Sequence, residues 1–459
     1  MMASLLRRAI GPRAVSLALL AVSASRIPEA LADDVRAGAP VAPGSGPSDV
    51  APPRGESLSF ADAVAIARTR GYDVLLASAN VRSAEAEIRI AGQTPNPALT
   101  AGPSRRVDCF SGNCPTPWGA FATLTDQGLI EGAITRKRKL KADVARRALD
   151  AAQFGRANAE RVLVAQVKVQ YVQTAAALAR LDLTREVAAS LQKSVDISRV
   201  QYPRVIDLGE LARVEQEALR AQGEVDLAVR QLRQEQIELA VLLGTEGAVP
   251  DLVVERAVLD FKVPNALVTL DRTALLRTAM ENRPDRKQAV AQVAQTEASV
   301  SLAERQRFPD VAFLVQYQQL GSGDSAPQPP TLSFGVGLPL PLFYQQQGEI
   351  GRAEADRQAA LIGRRRLETM LVADLEAAVN TFSTARRIVE RYESALLDRA
   401  KVARDITQTK YTAGSGRLTD LLDAQRSYVQ VNSGYLSELV NYWTAVFLLE
   451  QAVGKELAR

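Results

Sequence analysis

The chain repeats itself once, with a period of about 210 residues. Residues 57–91 (SLSFADAVAIARTRGYDVLLASANVRSAEAEIRIA) reappear as residues 269–303 (TLDRTALLRTAMENRPDRKQAVAQVAQTEASVSLA). Pro97 answers to Pro309, Tyr202 to Tyr411, and Leu243-Gly244 to Val453-Gly454. A period this long lies far above those of solenoid repeats. It marks a duplicated domain whose halves can pack about a pseudo-twofold axis and contribute the same parts to one object.

The N-terminus reads as a targeting segment. Arg7, Arg8 and Arg13 precede the apolar stretch 15–22, and Ala30-Leu31-Ala32 supplies a small-x-small cleavage site. This is the pattern of a secretory signal peptide over residues 1–32. The segment holds four arginines and one glutamate, so three of the four net positive charges of the chain leave with it. The remainder is nearly neutral, which makes nucleic acid a poor candidate partner. Residues 33–56, rich in Pro, Gly and Ala, cannot bury enough apolar surface to order themselves and read as a linker. No later run of apolar residues is long enough for a transmembrane helix.

The two cysteines, Cys109 and Cys114, stand in DCFSGNCP. In an exported chain a local disulfide is expected there, with two free thiols as the alternative. Two sulfurs without histidine make only half a zinc site, and the chain contains no histidine at all. That absence removes imidazole bases, Ser-His triads and histidine-ligated metals. No phosphate-cradling glycine loop occurs. An enzyme is therefore not expected, nor a cofactor.

Helical periodicity is strongest in two places. Val162, Ala165, Val169, Val172, Ala176, Ala179 and Leu183 step by 3 and 4 residues, as do Leu371, Leu375, Ala378, Phe382, Ala385, Val389, Tyr392 and Leu396. This is coiled-coil spacing. Proline-free sequence runs over 130–202 and from 343 past 411, room for helices of about 100 Å at 1.5 Å per residue. Each ends at a turn and is followed by a shorter helix, over 209–243 and 418–453. Ahead of each long helix lies a β-like stretch, 98–128 and 310–341. In the second, alternating Val311, Phe313, Val315 and Tyr317 and a Gly/Pro loop predict a hairpin. Two hairpins give four strands, with Trp118, Phe121, Phe313, Tyr317, Phe334 and Phe343 available for aromatic girdles.

Four strands cannot close a barrel, and open edges are not tolerated in lipid. Three copies would supply twelve strands and twelve helices. The expected fold is thus mainly α with a small transmembrane β part. It consists of duplicated coiled-coil hairpins plus two β-hairpins, joined as a trimer with a 12-stranded barrel and a 12-helix periplasmic tunnel. The expected division is 57–246 for the first repeat, 247–268 for a connector and 269–459 for the second repeat.

The chain resembles the TolC-type outer-membrane efflux proteins over about residues 57–457. The likeness rests on SLSFADAVAIA and its second-half counterpart, on Pro95-Asn96-Pro97, on LPLPLFYQQQGEIGRAEA (338–355) and on KYTAGSGRLTDLLDAQRSY (410–428). The PLPLF…QGEI stretch looks closest to members paired with cation-exporting, proton-driven pumps. The resemblance implies a passive homotrimeric conduit in outer-membrane lipid, reaching into the periplasm and served by a periplasmic adaptor and an inner-membrane pump. A protein-secretion conduit of the same fold, and an exported coiled-coil structural or adaptor protein, are the alternatives.

The resemblance also implies a periplasmic gate with the pattern Tyr-x-x-Gly-x-Arg-x-x-x-Asp-x-x-Asp. Tyr411, Gly414, Asp420 and Asp423 match it. Gly416 stands at the arginine position, with Arg417 next to it. Asp420 and Asp423 lie three apart on one helix face, and trimerised about an axis they would form two rings of carboxylates that select cations. A solvated acidic helix start is the plainer reading. Hairpin tips near Tyr202 and Glu210, and near Tyr411 and Gly414, are the expected adaptor-docking sites.

Overall fold

The computed structural model describes residues 57–105, 118–126, 135–204, 206–320 and 329–457. The expected signal peptide and linker, and both Cys109 and Cys114, lie outside the described residues. Strands and α-helices follow in the order β1 (Ser57–Leu58), α1 (Phe60–Arg70), α2 (Tyr72–Gly92), β2 (Ala98–Arg105), β3 (Trp118–Asp126), α3 (Lys137–Gln201) and α4 (Leu208–Leu242). The second half continues with β4 (Val253–Val254), α5 (Arg272–Asn282), α6 (Pro284–Gln306), β5 (Ala312–Leu320), β6 (Thr331–Gly337), α7 (Gln347–Arg391), α8 (Leu397–Thr412) and α9 (Leu418–Val453).

The duplication is kept to the residue at the start of each half. Helices α1 and α5 are both 11 residues long. Ser59 caps α1 by accepting from the Asp62 amide, and Asp271 caps α5 by accepting from the Thr273 and Ala274 amides, the role short oxygen-bearing side chains play at helix starts. Ala67 and Ala279, equivalent by sequence, are both fully buried. Each accepts the backbone N–H that ends its helix, from Gly71 and Arg283. The connector between the repeats is not featureless. Val253 and Val254 pair in parallel with Ser57 and Leu58, and two short 3₁₀ turns follow, Arg256–Leu259 and Asn265–Leu267.

The chain forms two compact units, and each draws segments from both repeats. Among the described residues, one comprises 86–105, 118–126, 135–146, 296–320 and 329–357, and the other 57–85, 147–204, 206–295 and 358–457.

The first unit contains the four-stranded antiparallel sheet, in the order β2-β3-β5-β6. The two hairpins join through β3 and β5, where Ala122 faces Tyr317 and Leu124 faces Val315. Strands β2 and β6 are its edges. The register sorts side chains onto two unlike faces, because neighbours along a strand point to opposite sides. One face carries Leu99, Trp118, Leu124, Phe313, Val315, Tyr317, Leu332, Phe334 and Val336. All of these except Val315 are large apolar side chains left exposed, up to 76% for Phe334; Arg105 beside Trp118, Asp126 beside Phe313, and Gln319 share this face towards its two ends. The other face carries Thr100, Ser104, Thr123, Thr125, Gln316, Gln318, Thr331 and Ser333, with Phe121 and Leu314 among them. From Phe313 to the level of Trp118 the apolar face spans about eight residues, roughly 27 Å at 3.4 Å per residue.

The second unit is helical. Its core joins α1, α3, α7 and α9 around Tyr171, Phe382, Tyr442 and Phe447. Phe60 meets Tyr171 edge-on at 5.3 Å and stacks on Phe447 at 5.8 Å. Tyr171 donates to the Leu58 carbonyl at 2.6 Å and accepts from the Glu255 amide at 2.9 Å, so one hydroxyl holds the chain on either side of the β1–β4 pair. Lys168 and Glu450 form a buried ion pair at 2.8 Å, and the Leu457 amide donates to the second Glu450 oxygen.

The seam expected on α3 is too narrow. Leu163, Val167, Tyr171, Ala175 and Leu181 are buried beside it, together with Lys168, Gln170 and Thr174, because this stretch is packed on several sides rather than along one stripe. The seam expected on the second long helix holds from Leu371 to Val389, all but Ala378 buried. It then breaks at a π-helical turn, Tyr392–Leu396. The wider turn takes one extra residue and rotates the following stripe, so Leu396 is exposed and the next buried positions are Ala400 and Tyr411.

Candidate functional site

In the helical unit α3 and α4 form one antiparallel hairpin, and α8 and α9 another. Their turns end in contrasting ways. Asp207 caps α4 through a 2.7 Å bond from the Glu210 amide. At the other turn Gly414 takes φ 71°, a left-handed backbone open to glycine at no steric cost. The amides of Ser415 and Gly416 both donate to the Lys410 carbonyl at 3.0 Å. This closes the end of α8 in the manner of a glycine C-cap.

Four helices meet in a small apolar cluster. Leu191 and Val195 come from α3, Val214, Ala218 and Ala221 from α4, Tyr411 from α8, and Leu418 and Leu421 from α9. Tyr411 is 3% exposed, and its hydroxyl lies 2.7 Å from that of Ser198 on α3. Ser198 already donates to the Ser194 carbonyl, so Tyr411 is the donor between them. Burial pushes the Tyr411 phenol above its ordinary range. The bond to Ser198 pulls it partly back, and Glu210 adds to the rise.

Polar links continue away from the tip. Gln425, buried on α9, donates to Ser190 Oγ on α3 at 2.9 Å and to Gln408 Oε1 on α8 at 3.4 Å. Arg404 on α8 reaches Glu186 of α3 at 2.8 Å, grips Asp405, and lies 3.9 Å over the ring of Tyr428 on α9. Arg426 of α9 pairs with Glu217 of α4. The two hairpins are thus fastened at successive levels along α3, α8 and α9.

Asp420 and Asp423 sit on the other side of α9 from Leu418 and Leu421, exposed at the start of the helix. Asp423 lies 3.6 Å from Arg426 and its side chain remains 76% exposed. The i,i+3 spacing does place both carboxylates on one exposed face. Arg417 is the N-cap residue of α9, extended and exposed, with no capping bond from its side chain. At Gly416 a Cβ would lie 2.9 Å from the Tyr411 nitrogen and 3.0 Å from the Lys410 carbonyl carbon. This turn therefore leaves no room for an arginine at that position.

Of the four residues expected at a docking tip, Tyr202 and Gly414 are exposed, Glu210 is half-buried and Tyr411 is buried. The two sequence-equivalent tyrosines have diverged: Tyr202 points to solvent, while Tyr411 faces the neighbouring hairpin. The Tyr411 side chain is for that reason an internal tie rather than a docking surface. Ser198, Gln425 and Arg404 were not singled out by the sequence. Gln425 alone left a trace, as a polar residue on the stripe Leu418, Leu421, Gln425.

A sheet with one apolar and one polar face, long helical hairpins and an acidic tip have a counterpart among known proteins. Residues 275–455 match the family described as outer membrane efflux protein. The pyoverdine export outer membrane protein OpmQ of Pseudomonas putida is 25% identical over 413 residues, covering 85% of this chain and 84% of the relative. The cobalt-zinc-cadmium resistance protein CzcC of Cupriavidus metallidurans is 24% identical over 408 residues, covering 87% and 90%. The fold is shared with the CmeC outer membrane channel of Campylobacter jejuni, at a TM-score of 0.71 and 14% identity over 87% of this chain and 86% of that one.

Proposed function

We infer that the protein is the outer-membrane channel of a tripartite efflux system, a passive conduit for what an inner-membrane pump and a periplasmic adaptor deliver. The observation that carries this reading is the sorting of the sheet into an exposed apolar face and a polar one. Lipid accepts the first and a water-filled lumen the second, the alternation of an outer-membrane barrel strand. The apolar face is about as tall as the apolar band of such barrels, about 25 Å. Strands β2 and β6 leave edges that lipid does not tolerate. Three copies pairing edge to edge give a closed barrel of twelve strands, and the same symmetry gathers their helical hairpins into a tunnel.

In that assembly Asp420 and Asp423 line the periplasmic entrance as two rings of three carboxylates, with Arg417 beside them. The Tyr411–Ser198 bond holds the α8–α9 hairpin against α3 and α4. Adaptor docking falls to the exposed parts of the tips, Tyr202 and the Gly414 turn, with Glu210 between. An acidic ring suits cationic cargo or cation block, and the likeness to CzcC favours metal cations. No catalytic step is assigned.

The test is single-channel recording in planar bilayers of wild type against the Asp420→Ala/Asp423→Ala double variant. Weakened cation preference and loss of block by added divalent cations are the expected results. Unchanged selectivity and block would reduce the two aspartates to an acidic helix start. Native mass measurement in detergent checks the assembly, and a stable monomer would overturn the trimer.

A further inference from the structure

Two hydrophobic cores share α9, and the stretch between them is thin. Leu439, Tyr442 and Phe447 belong to the aromatic core, whereas Leu418 and Leu421 belong to the cluster at the tip. From 426 to 438 every residue of α9 is exposed or half-buried. The chain alongside shows the same gap. Every residue from 390 to 399 is exposed or half-buried, between Val389 of the aromatic core and Ala400.

Each gap holds a weak point of helix geometry, and the two weak points touch. One is the π-helical turn Tyr392–Leu396. The other is Ser433-Gly434 within α9. Helices bend at π turns and at Gly/Ser pairs. A Cβ on Gly434 would lie 2.7 Å from the Tyr392 hydroxyl and 3.4 Å from its Cζ, so the tyrosine fills the space that glycine leaves. Beside them Tyr435 donates to Glu393 Oε1 at 2.8 Å, and the Tyr392 and Tyr435 rings lie 6.1 Å apart.

The packing differs in kind on the two sides of this level. Toward the core α7 and α9 meet through aromatic rings, Phe382 against Tyr442 at 5.7 Å. Toward the tip the buried residues of α8 are Ala400 and Tyr411, and the α8–α9 hairpin is fastened to α3 and α4 largely by polar links, Tyr411–Ser198, Gln425–Ser190, Arg404–Glu186 and Arg426–Glu217. Such links can be exchanged for water, whereas a close-packed core resists displacement.

We propose that Tyr392–Leu396 and Ser433-Gly434 form a paired hinge. About it α8 and residues 418–432 of α9 swing as one hairpin away from α3 and α4, while α7 and residues 439–453 stay in the aromatic core. Two facing weak points let both helices of a hairpin bend at one level, concentrating the dihedral change in a few residues. The consequence for transport rests on the outer-membrane channel reading: the swing carries Asp420 and Asp423 away from the entrance.

Thiol labelling tests it, in detergent-solubilised Cys109→Ser/Cys114→Ser protein treated with N-ethylmaleimide. Ser194 lies on one line of α3 between Ser190 and Ser198, the partners of Gln425 and Tyr411. Thr174 lies on the same helix beside the aromatic core, and both side chains are fully buried. Ser194→Cys should react as the hairpin swings, and Thr174→Cys should stay unreactive. Gly434→Ala pushes Tyr392 off its seat and should speed labelling of Ser194→Cys alone. Adding Tyr392→Phe removes the clashing hydroxyl and should return the rate to that of the parent, a rescue that general loosening of the fold would not show. The hinge is refuted if Ser194→Cys is as unreactive as Thr174→Cys, if the two are labelled together, or if Tyr392→Phe fails to cancel the effect of Gly434→Ala. If the rates follow the expected pattern while the protein forms no channel in planar bilayers, the hinge stands and the channel reading falls.

Discussion

Replacing Tyr411 with Phe removes one atom from the hairpin tip and isolates the tie it makes. The hydroxyl donates to Ser198 Oγ over 2.7 Å in a site where the tyrosine is 3% exposed. The ring stays in the cluster with Val195, Val214 and Leu421, so no cavity opens. Ser198 keeps its own bond to the Ser194 carbonyl, so the loss is that of a single neutral hydrogen bond, about 1 kcal/mol per protomer. In the proposed trimer, if the bond is kept only while the entrance is closed and three protomers release it together, the closed form is weakened by about 3 kcal/mol, on the order of a 100-fold shift toward open. Single-channel recording should show a larger share of open time, and amide exchange along residues 191–198 should quicken. Tyr411→Ala adds a lost buried ring, about 3–5 kcal/mol, and should loosen the tip outright. If Tyr411→Phe leaves both conductance and exchange at wild-type values, the hydroxyl does not hold the entrance and the lock must lie in the Arg404 or Gln425 links.

Lys168→Met strands the Glu450 carboxylate in the core, at a cost of about 3–5 kcal/mol. A Lys168→Met/Glu450→Leu pair should recover most of this in thermal unfolding, and failure to do so would mean that the Leu457 amide bond to Glu450 matters more than the ion pair. Gly416→Ala drives a Cβ into the Lys410–Tyr411 backbone and should cost about 1–3 kcal/mol, read as faster exchange at the start of α9. Burial alone would raise the Asp285 carboxyl, but the bonds and charges of Arg283 and Arg161 outweigh it and hold it below the usual carboxylate range. A depressed folded value means that stabilisation is full above the ordinary carboxylate pKa, about 3.9, and fades as pH falls through the folded value. Asp285→Asn should flatten this acid limb of a stability–pH curve, and an unchanged limb would remove Asp285 as its source.

Much of this architecture was legible because it repeats. The register of the duplication, 57–91 onto 269–303, places α1 on α5 and α2 on α6 without a shift, since caps and buried alanines are local demands that each copy must meet alone. Proline-free runs gave the long helices, and alternation gave the hairpins. The Asp420–Asp423 spacing sufficed for a shared helix face. What no local pattern could supply is which surfaces meet. The β1–β4 bridge joins residues nearly 200 positions apart through two-residue strands, too short to alternate. Helix α3 is packed on several sides, so its heptad understates its contacts. The π turn at Tyr392–Leu396 shifts a stripe that the sequence continues in register. Tyr202 and Tyr411 are equivalent in sequence, yet only Tyr411 finds a serine and a cluster of leucines and valines opposite it. Periodicity reports what a helix must bury; the partner that buries it, and whether a hydroxyl there finds a mate, is decided only when distant segments of the chain pack together.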